Sequence, residues 1–246
     1  MRMRNILVLI VLASLMFNGC KKHKDLDPVH PTNGKTTAVF NPNQVYGTLT
    51  DQDGNIYKTI KIGTQTWMAE NLRVTHYRNG EAIPVVNEKA TWMNLSSGAY
   101  CNNTITNNND TIATYGRLYN WFSVNDARNL SPAGWHVASD KEWITLINYL
   151  DGGSPAALKL KEIGKKHWKS LYTNSNNSSG FTALPGGYCN DDRGLYHVGD
   201  YGFWWTSTPA YTSFALYREI SLDDIESVFG LYNSKRMGLS VRCVKD

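Results

Sequence analysis

The sequence predicts an α+β domain of antiparallel strands, two to three helices and long loops. Three observations carry that prediction. Alternating apolar residues mark strands at both ends of the folded part, helical periodicity is confined to its middle, and no strand-helix-strand repeat joins the two. All 8 Trp and 14 Tyr lie beyond residue 44, a ring surface that only a packed core hides from water. No linker or internal repeat divides residues 44–246, so they are read as a single domain. With 25 Lys+Arg against 21 Asp+Glu the formal net charge is +4, which argues against a nucleic-acid partner.

Residues 1–19 stand apart from that domain. Arg2 and Arg4 precede an apolar run, Ile6 to Phe17, that is too short to span a bilayer and has the pattern of a signal peptide. The run ends in Phe17-Asn18-Gly19-Cys20, which resembles the lipobox of bacterial lipoproteins, although Phe17 and Asn18 depart from its commonest form. The resemblance implies lipidation of Cys20, a membrane partner through the lipid anchor, and an outer-membrane lipoprotein on either face of that membrane. Residues 20–43 combine Lys21, Lys22 and Lys24 with prolines and Asn33-Gly34, carry almost no large apolar residue, and read as a flexible tether.

The domain opens with alternating runs at Val45–Thr50 and Ile56–Ile62 around Asp51-Gln52-Asp53-Gly54-Asn55, a hairpin signal. That turn begins like a calcium loop, but no bidentate acid follows at the required distance, so a plain turn is expected. Tyr115, Leu118, Tyr119, Trp121 and Phe122 recur at helical spacing and predict one buried helix face. Ser139-Asp140-Lys141-Glu142 is a capping box ahead of Trp143, Leu146, Ile147 and Leu150, with Gly152-Gly153 as its stop. Ser154-Pro155 predicts the start of a third helix that buries Leu158 and Ile163. Strands follow at Phe203–Ser207, Phe214–Ser221 and Arg236–Lys245, the last with Met237, Leu239, Val241 and Cys243 on one covered face, and the terminal strands are expected to pair.

Several segments resemble the Fibrobacter succinogenes major paralogous domain in its own order. They include Ile62-Gly63-Thr64-Gln65-Thr66-Trp67-Met68-Ala69-Glu70-Asn71-Leu72, Tyr115-Gly116-Arg117-Leu118-Tyr119-Asn120-Trp121, Pro132-Ala133-Gly134-Trp135-His136-Val137, Trp204-Trp205-Thr206-Ser207 and Ser240-Val241-Arg242-Cys243. That family occurs in secreted and lipid-anchored proteins, so the resemblance implies a location and a fold, not an activity. The run Gly134 to Trp143, with Leu239 to Val244 later, is also similar to formylglycine-generating enzymes and related C-type-lectin-like domains. That likeness implies a C-type-lectin-like fold with ligand sites on late loops, here Tyr188–Tyr201 and Pro209–Lys235. Family members often carry Cys where this chain has Ser131, so the bridge from that position to Cys243 cannot form. Cys101, Cys189 and Cys243 then allow at most one disulfide, and its pairing stays open.

None of the six histidines, His23, His30, His76, His136, His167 and His197, sits at metal-ligand spacing, so no metal site is expected; His136 reads as a hydrogen-bonded structural residue. The tripeptides with which classical C-type lectins hold sugar through calcium do not occur. No cofactor is expected, and calcium would have to use the turn-like pairs Asp191-Asp192 or Asp223-Asp224. Trp204 and Trp205 face opposite sides of a strand, one toward the core and one toward solvent or a loop. The late loops are rich in rings and planar hydrogen-bonding groups, and Tyr188, Asp191, Arg193, Tyr196, Tyr211, Tyr217 and Arg218 are the candidate ligand contacts. The expected function is a lipid-anchored, non-enzymatic cell-envelope module that binds a polysaccharide or an envelope protein. The alternatives are a divergent formylglycine-generating-enzyme-like oxidase or hydrolase built on Cys189 and Cys243, and a self-associating structural lipoprotein.

Overall fold

In chain order the elements are β1 (Gly47–Thr50), β2 (Ile56–Ile62), β3 (Gln65–Met68), α1 (Lys89–Met93), β4 (Tyr100–Asn102), α2 (Asn109–Tyr115), β5 (Arg117–Tyr119), α3 (Trp121–Val124), β6 (Trp135–Val137), α4 (Asp140–Tyr149), α5 (Gly153–Leu160), β7 (Tyr188–Cys189), β8 (Leu195–Tyr196), β9 (Tyr201–Pro209), β10 (Phe214–Ser221), β11 (Phe229–Ser234) and β12 (Cys243–Lys245). The structure, a computed structural model, describes residues 30–102, 108–169, 174–192, 194–221 and 229–246. The predicted signal peptide, Cys20, Arg193 and Asp223-Asp224 lie outside the described residues. The class is α+β with antiparallel sheets, and the described residues hold five short helices where two to three were expected.

The predicted hairpin forms, with Gly47 opposite Thr59 and Thr50 opposite Ile56. Its turn is held by one carboxylate. Asp51 Oδ1 accepts the amides of Asp53 and Asn55 at 2.9 Å each, and Oδ2 accepts from Asn55 Nδ2 and the Tyr57 hydroxyl at 2.8 and 2.6 Å. The calcium-like loop is therefore a turn whose first acid is consumed by protein donors. The last strand, β12, lies between β3 and β6 in a sheet ordered β1-β2-β3-β12-β6, so the two ends of the domain do meet.

From His30 onward the expected tether is not free but runs as a strap along the domain. The Thr32 hydroxyl donates to Asn55 Oδ1, the Thr37 amide donates to the Thr114 hydroxyl, and the Val39 amide donates to the buried carboxylate of Glu162. Further along, Asn41 Nδ2 donates to the carbonyl of Asn177 at 3.0 Å. Low hydropathy marks this segment as linker, but its attachment is largely polar, with Phe40 packed against the core: backbone and short side chains satisfy buried partners, which hydropathy does not register.

The helix expected across Tyr115–Phe122 divides into three. Gly116 has φ +74, and a Cβ there would come within 2.7 Å of Asn71 and the carbonyl of Leu72, so α2 ends at Tyr115. Leu118 and Tyr119 then belong to β5, paired with β4, and α3 starts afresh on an Asn120 cap. By contrast α4 is as expected, with both arms of the Ser139–Glu142 capping box made and Trp143, Leu146 and Ile147 buried. α5 starts two residues early, at Gly153 with Gly152 in the cap position, and its phase buries Ala156, Ala157 and Leu160 in place of Leu158 and Ile163.

The predicted strand Arg236–Lys245 shortens to Cys243–Lys245 and is covered on both sides. The chain before it threads between sheets, with Leu239 bridged to Tyr119 and Ser240 to Trp204. Arg242 is fully buried: Nε donates to Asn71 Oδ1 at 2.6 Å, Nη1 to the carbonyls of Met68 and Phe181 at 2.8 Å, and Nη2 to that of Thr182 at 3.0 Å. Trp204 and Trp205 do face opposite ways, but both are buried, because β9 runs between two cores. Trp205 joins the cluster of Tyr57, Leu72 and Tyr119, and Trp204 joins that of Trp67, Trp143 and Phe181.

Candidate functional site

The late segments expected to be long loops are mostly hairpins, β7–β8 and β10–β11, the second extending β9 into a sheet ordered β11-β10-β9. Between them opens a cleft of about 280 Å³, near the lower end of the ~300–1,000 Å³ usual for small-ligand pockets. Strand periodicity builds its walls. Tyr201 and Phe203 alternate onto one face of β9, Tyr217 and Glu219 onto the same face of β10, and the register sets Glu219 directly opposite Phe203. Asn233 of β11 and the buried Met237 complete that side.

The opposite wall is the β7–β8 hairpin. Tyr188 lies across from Tyr196, and their rings stack at 5.6 Å and 27°. Asp192 shapes the turn: Oδ1 accepts the amide of Gly194 at 2.9 Å and Oδ2 accepts the Tyr196 hydroxyl at 3.1 Å. The Gly194 amide, with the Tyr196 hydroxyl, holds this carboxyl below the usual aspartate range. Beyond the hairpin, His197 takes a left-handed φ of +59, and its carbonyl accepts the amides of Asp200 and Tyr201, which turns the chain into β9. Its ring meets Tyr201 edge-on at 4.9 Å, and Tyr201 stacks on Phe203 at 5.7 Å and 19°.

Two hydroxyls in this cleft, those of Tyr188 and Tyr217, are held protonated. Burial, with the charge of Glu219 adding to it, pushes Tyr217 up to about 12, and burial with Asp192 and Glu219 raises Tyr188. The cleft thus offers one carboxylate, one amide and these two neutral hydroxyls between ring faces. This chemistry suits a neutral polyhydroxylated ligand, whose C–H faces pack on rings while its hydroxyls pair with fixed polar groups.

Of the predicted contacts, Tyr188 and Tyr217 line this cleft and Tyr196 stands at its rim, while Asp191 lies in the hairpin turn beside Asp192. Tyr211 is elsewhere: 63% exposed, it meets Tyr232 at 5.3 Å, and Phe214 stands 5.9 Å from the same ring. Arg218 is on the wrong face, because alternation turns it away from Tyr217; it is buried in an ion pair with Asp140 at the start of α4. Sequence reasoning passed over Tyr201, Phe203, Glu219 and Met237. Phe203 and Glu219 lie on strands the sequence does predict, at i, i+2 spacing from Trp205 and Tyr217, whereas Tyr201 falls in the predicted loop because β9 begins two residues before the predicted strand.

The remaining candidate residues are buried or hydrogen-bonded within the fold. Cys243, in the large core cluster, is a buried thiol whose pKa burial pushes far up, and Cys101 and Cys189 are buried together in a third, smaller cluster. Cys189 and Cys243 therefore belong to different clusters, and neither is exposed. His136 is hydrogen-bonded on both sides, Nδ1 to Asp246 and Nε2 to Glu142, each at 2.6 Å. Among the described residues no group of three or more His, Cys, Asp or Glu is arranged to hold a metal ion.

The sequence profile of the Fibrobacter succinogenes major domain matches residues 60–245, from β2 to the last strand. No curated protein and no solved structure matches the chain.

Proposed function

Because the chain belongs to the Fibrobacter succinogenes major domain family, we propose that it is a non-enzymatic binding module of the cell envelope, held by a lipid on Cys20 at the outer membrane, with a polysaccharide as its ligand. The observation that carries this reading is the ring-walled cleft, in which Tyr188 and Tyr201 present partly exposed rings around Glu219 and Asn233. Binding of this kind needs no calcium, and Asp192 is already engaged by its own hairpin. A C-type-lectin-like fold belongs to the same proposal, supported by the position of the cleft on late hairpins. The exposed trio Tyr211, Phe214 and Tyr232 favours a second reading, in which an envelope protein docks on that hairpin tip.

The test is binding of the full chain, purified in detergent, to a panel of plant, host and bacterial glycans, once in calcium and once in chelator. The expected result is binding in both, weakened about tenfold, near 1.4 kcal/mol, by Tyr188→Ala or Tyr201→Ala. Binding that is lost in chelator, or unchanged in both variants, refutes the cleft as the site. No binding at all moves the reading to the protein partner.

A further inference from the structure

A second hollow, of about 390 Å³, lies where the strap begins, at the far side of the β1–β2 turn. Two histidines distant in sequence, His30 and His76, share its wall. Their tautomers follow from their neighbours. His76 Nδ1 lies 2.7 Å from Asp53 Oδ1, an acceptor, so Nδ1 carries the proton. Asp53 sits behind the ring with its own side chain only 8% exposed.

His30 opens the strap two residues before Thr32. Its Nδ1 lies 3.1 Å from the Thr32 hydroxyl. Asn55 donates its Nδ2 to Asp51, so its Oδ1 is the acceptor for Thr32, and the single Thr32 proton is spent there. Arg73 Nε donates to the same Thr32 oxygen, which leaves His30 Nδ1 only the donor role. Both neutral rings thus keep their lone pair on Nε2, and neither Nε2 has a hydrogen-bond partner among the described residues.

A third donor stands in the same wall. Gln52 Nε2 donates to the carbonyl of His76 at 2.7 Å, which fixes the amide and leaves Oε1 buried without a hydrogen-bond partner. Two imidazoles, each oriented through its far nitrogen by an acceptor, are the arrangement by which proteins present histidine to a metal. The carboxylate of Asp53 is occupied by Thr75 and His76, so the hollow supplies two nitrogens and an amide oxygen, fewer charged ligands than a closed structural zinc site uses.

We propose that His30 and His76 bind one divalent first-row transition-metal ion through their Nε2 atoms, with Gln52 Oε1 and water completing the shell. Imidazole nitrogen with neutral oxygen suits zinc, nickel or copper in preference to calcium or magnesium. Such an ion would pin the start of the strap to the segment after β3. The spacing of these residues in the sequence carries no ligand signature, because the strap alone brings them together.

The test is isothermal titration of the full chain, stripped with chelator and purified in detergent, with zinc and then nickel. One equivalent is expected, weakened by His30→Ala and by His76→Ala at least as much as the roughly 10- to 100-fold that loss of an outer-shell partner costs, and unchanged by His23→Ala or His136→Ala. His76 is 45% exposed, so its replacement leaves the fold standing, which a melt in chelator checks. Absorption spectroscopy at the metal edge should report two imidazole nitrogens at about 2.0–2.1 Å. No saturable binding by the parent chain, a loss confined to one of the two variants, or a shell with fewer than two imidazoles would overturn the assignment.

Discussion

The two faces of the β9–β10 pair differ in fate although they alternate along the same residues. On one face Trp204, Ile220 and Arg218 are buried beneath α4, with Trp204 tilted against Trp143 at 5.9 Å and Arg218 paired to Asp140. On the other, Trp205, Ala215, Phe203 and Tyr217 all belong to the main core, yet Phe203 and Tyr217, with the half-buried Tyr201 and Glu219 beside them, form the floor of a cleft. Composition does not separate them, since both faces are aromatic with one charged residue. What separates them is the cover: a capped helix with an apolar stripe on one side, and on the other a hairpin with strands of two residues each, too small to close the gap. A surface for ligand follows from what the chain leaves uncovered, not from a special residue set.

The sharpest way to break this contrast is to remove a ring from each face. Trp204 is fully buried and its Nε1 donates to Asn71 Oδ1 at 2.9 Å, the same oxygen that receives Arg242. Trp204→Ala should cost about 3–5 kcal/mol in chemical denaturation and release part of the Arg242 network. Tyr201→Ala, on the open face, should cost about 1 kcal/mol or less while weakening glycan binding about tenfold. Equal destabilisation by the two would mean that the cleft is core, and the distinction between the faces would fall.

The second effect concerns the closing of the covered face. Arg218 and Asp140 form their ion pair where β10 meets the first turn of α4, and Gly230 opposite Arg218 leaves the guanidinium its room. Arg218→Ala should cost about 1–3 kcal/mol, between the values for exposed and fully buried pairs because Asp140 remains partly solvated. Asp140→Ala in the same background should then cost little more, and a double-mutant cycle reads the coupling directly.

How much of this was legible follows from the kind of signal each part carries. α4 was readable because capping box and apolar stripe are local and agree. The β2 and β10 strands were readable from alternation, but not which of their neighbours would be covered, since cover depends on distant packing. The ring spacing from Tyr115 to Phe122 misled because one glycine at positive φ redirects the chain within a pattern that remains periodic. The strap and the His30–His76 hollow were invisible for a single reason: each is made by polar contacts between segments far apart in sequence, and nothing local announces them.

The smallest expected effect tests the helix cover through pH. His136 is 43% exposed and links β6 to α4, and its pKa is raised: burial lowers it, but the hydrogen bonds to Asp246 and Glu142 outweigh burial. A histidine whose folded pKa lies above its unfolded one adds stability that is complete below the unfolded value near 6.5 and is lost as pH rises through the folded value. Its partner has the opposite sign. Burial raises Glu142, but the amide and hydroxyl of Ser139, and then His136, bring it below the ordinary value, so its contribution is present at neutral pH and lost in acid. Thermal melts of the parent should therefore decline slightly as pH rises above about 6.5, and His136→Gln should flatten that decline while leaving the acid limb set by Glu142. The difference should stay below about 1 kcal/mol, because solvent screens both pairs. If it were larger, His136 would rank with Arg218 as a fastening of α4, and the covered face would depend on pH in a way the open face does not.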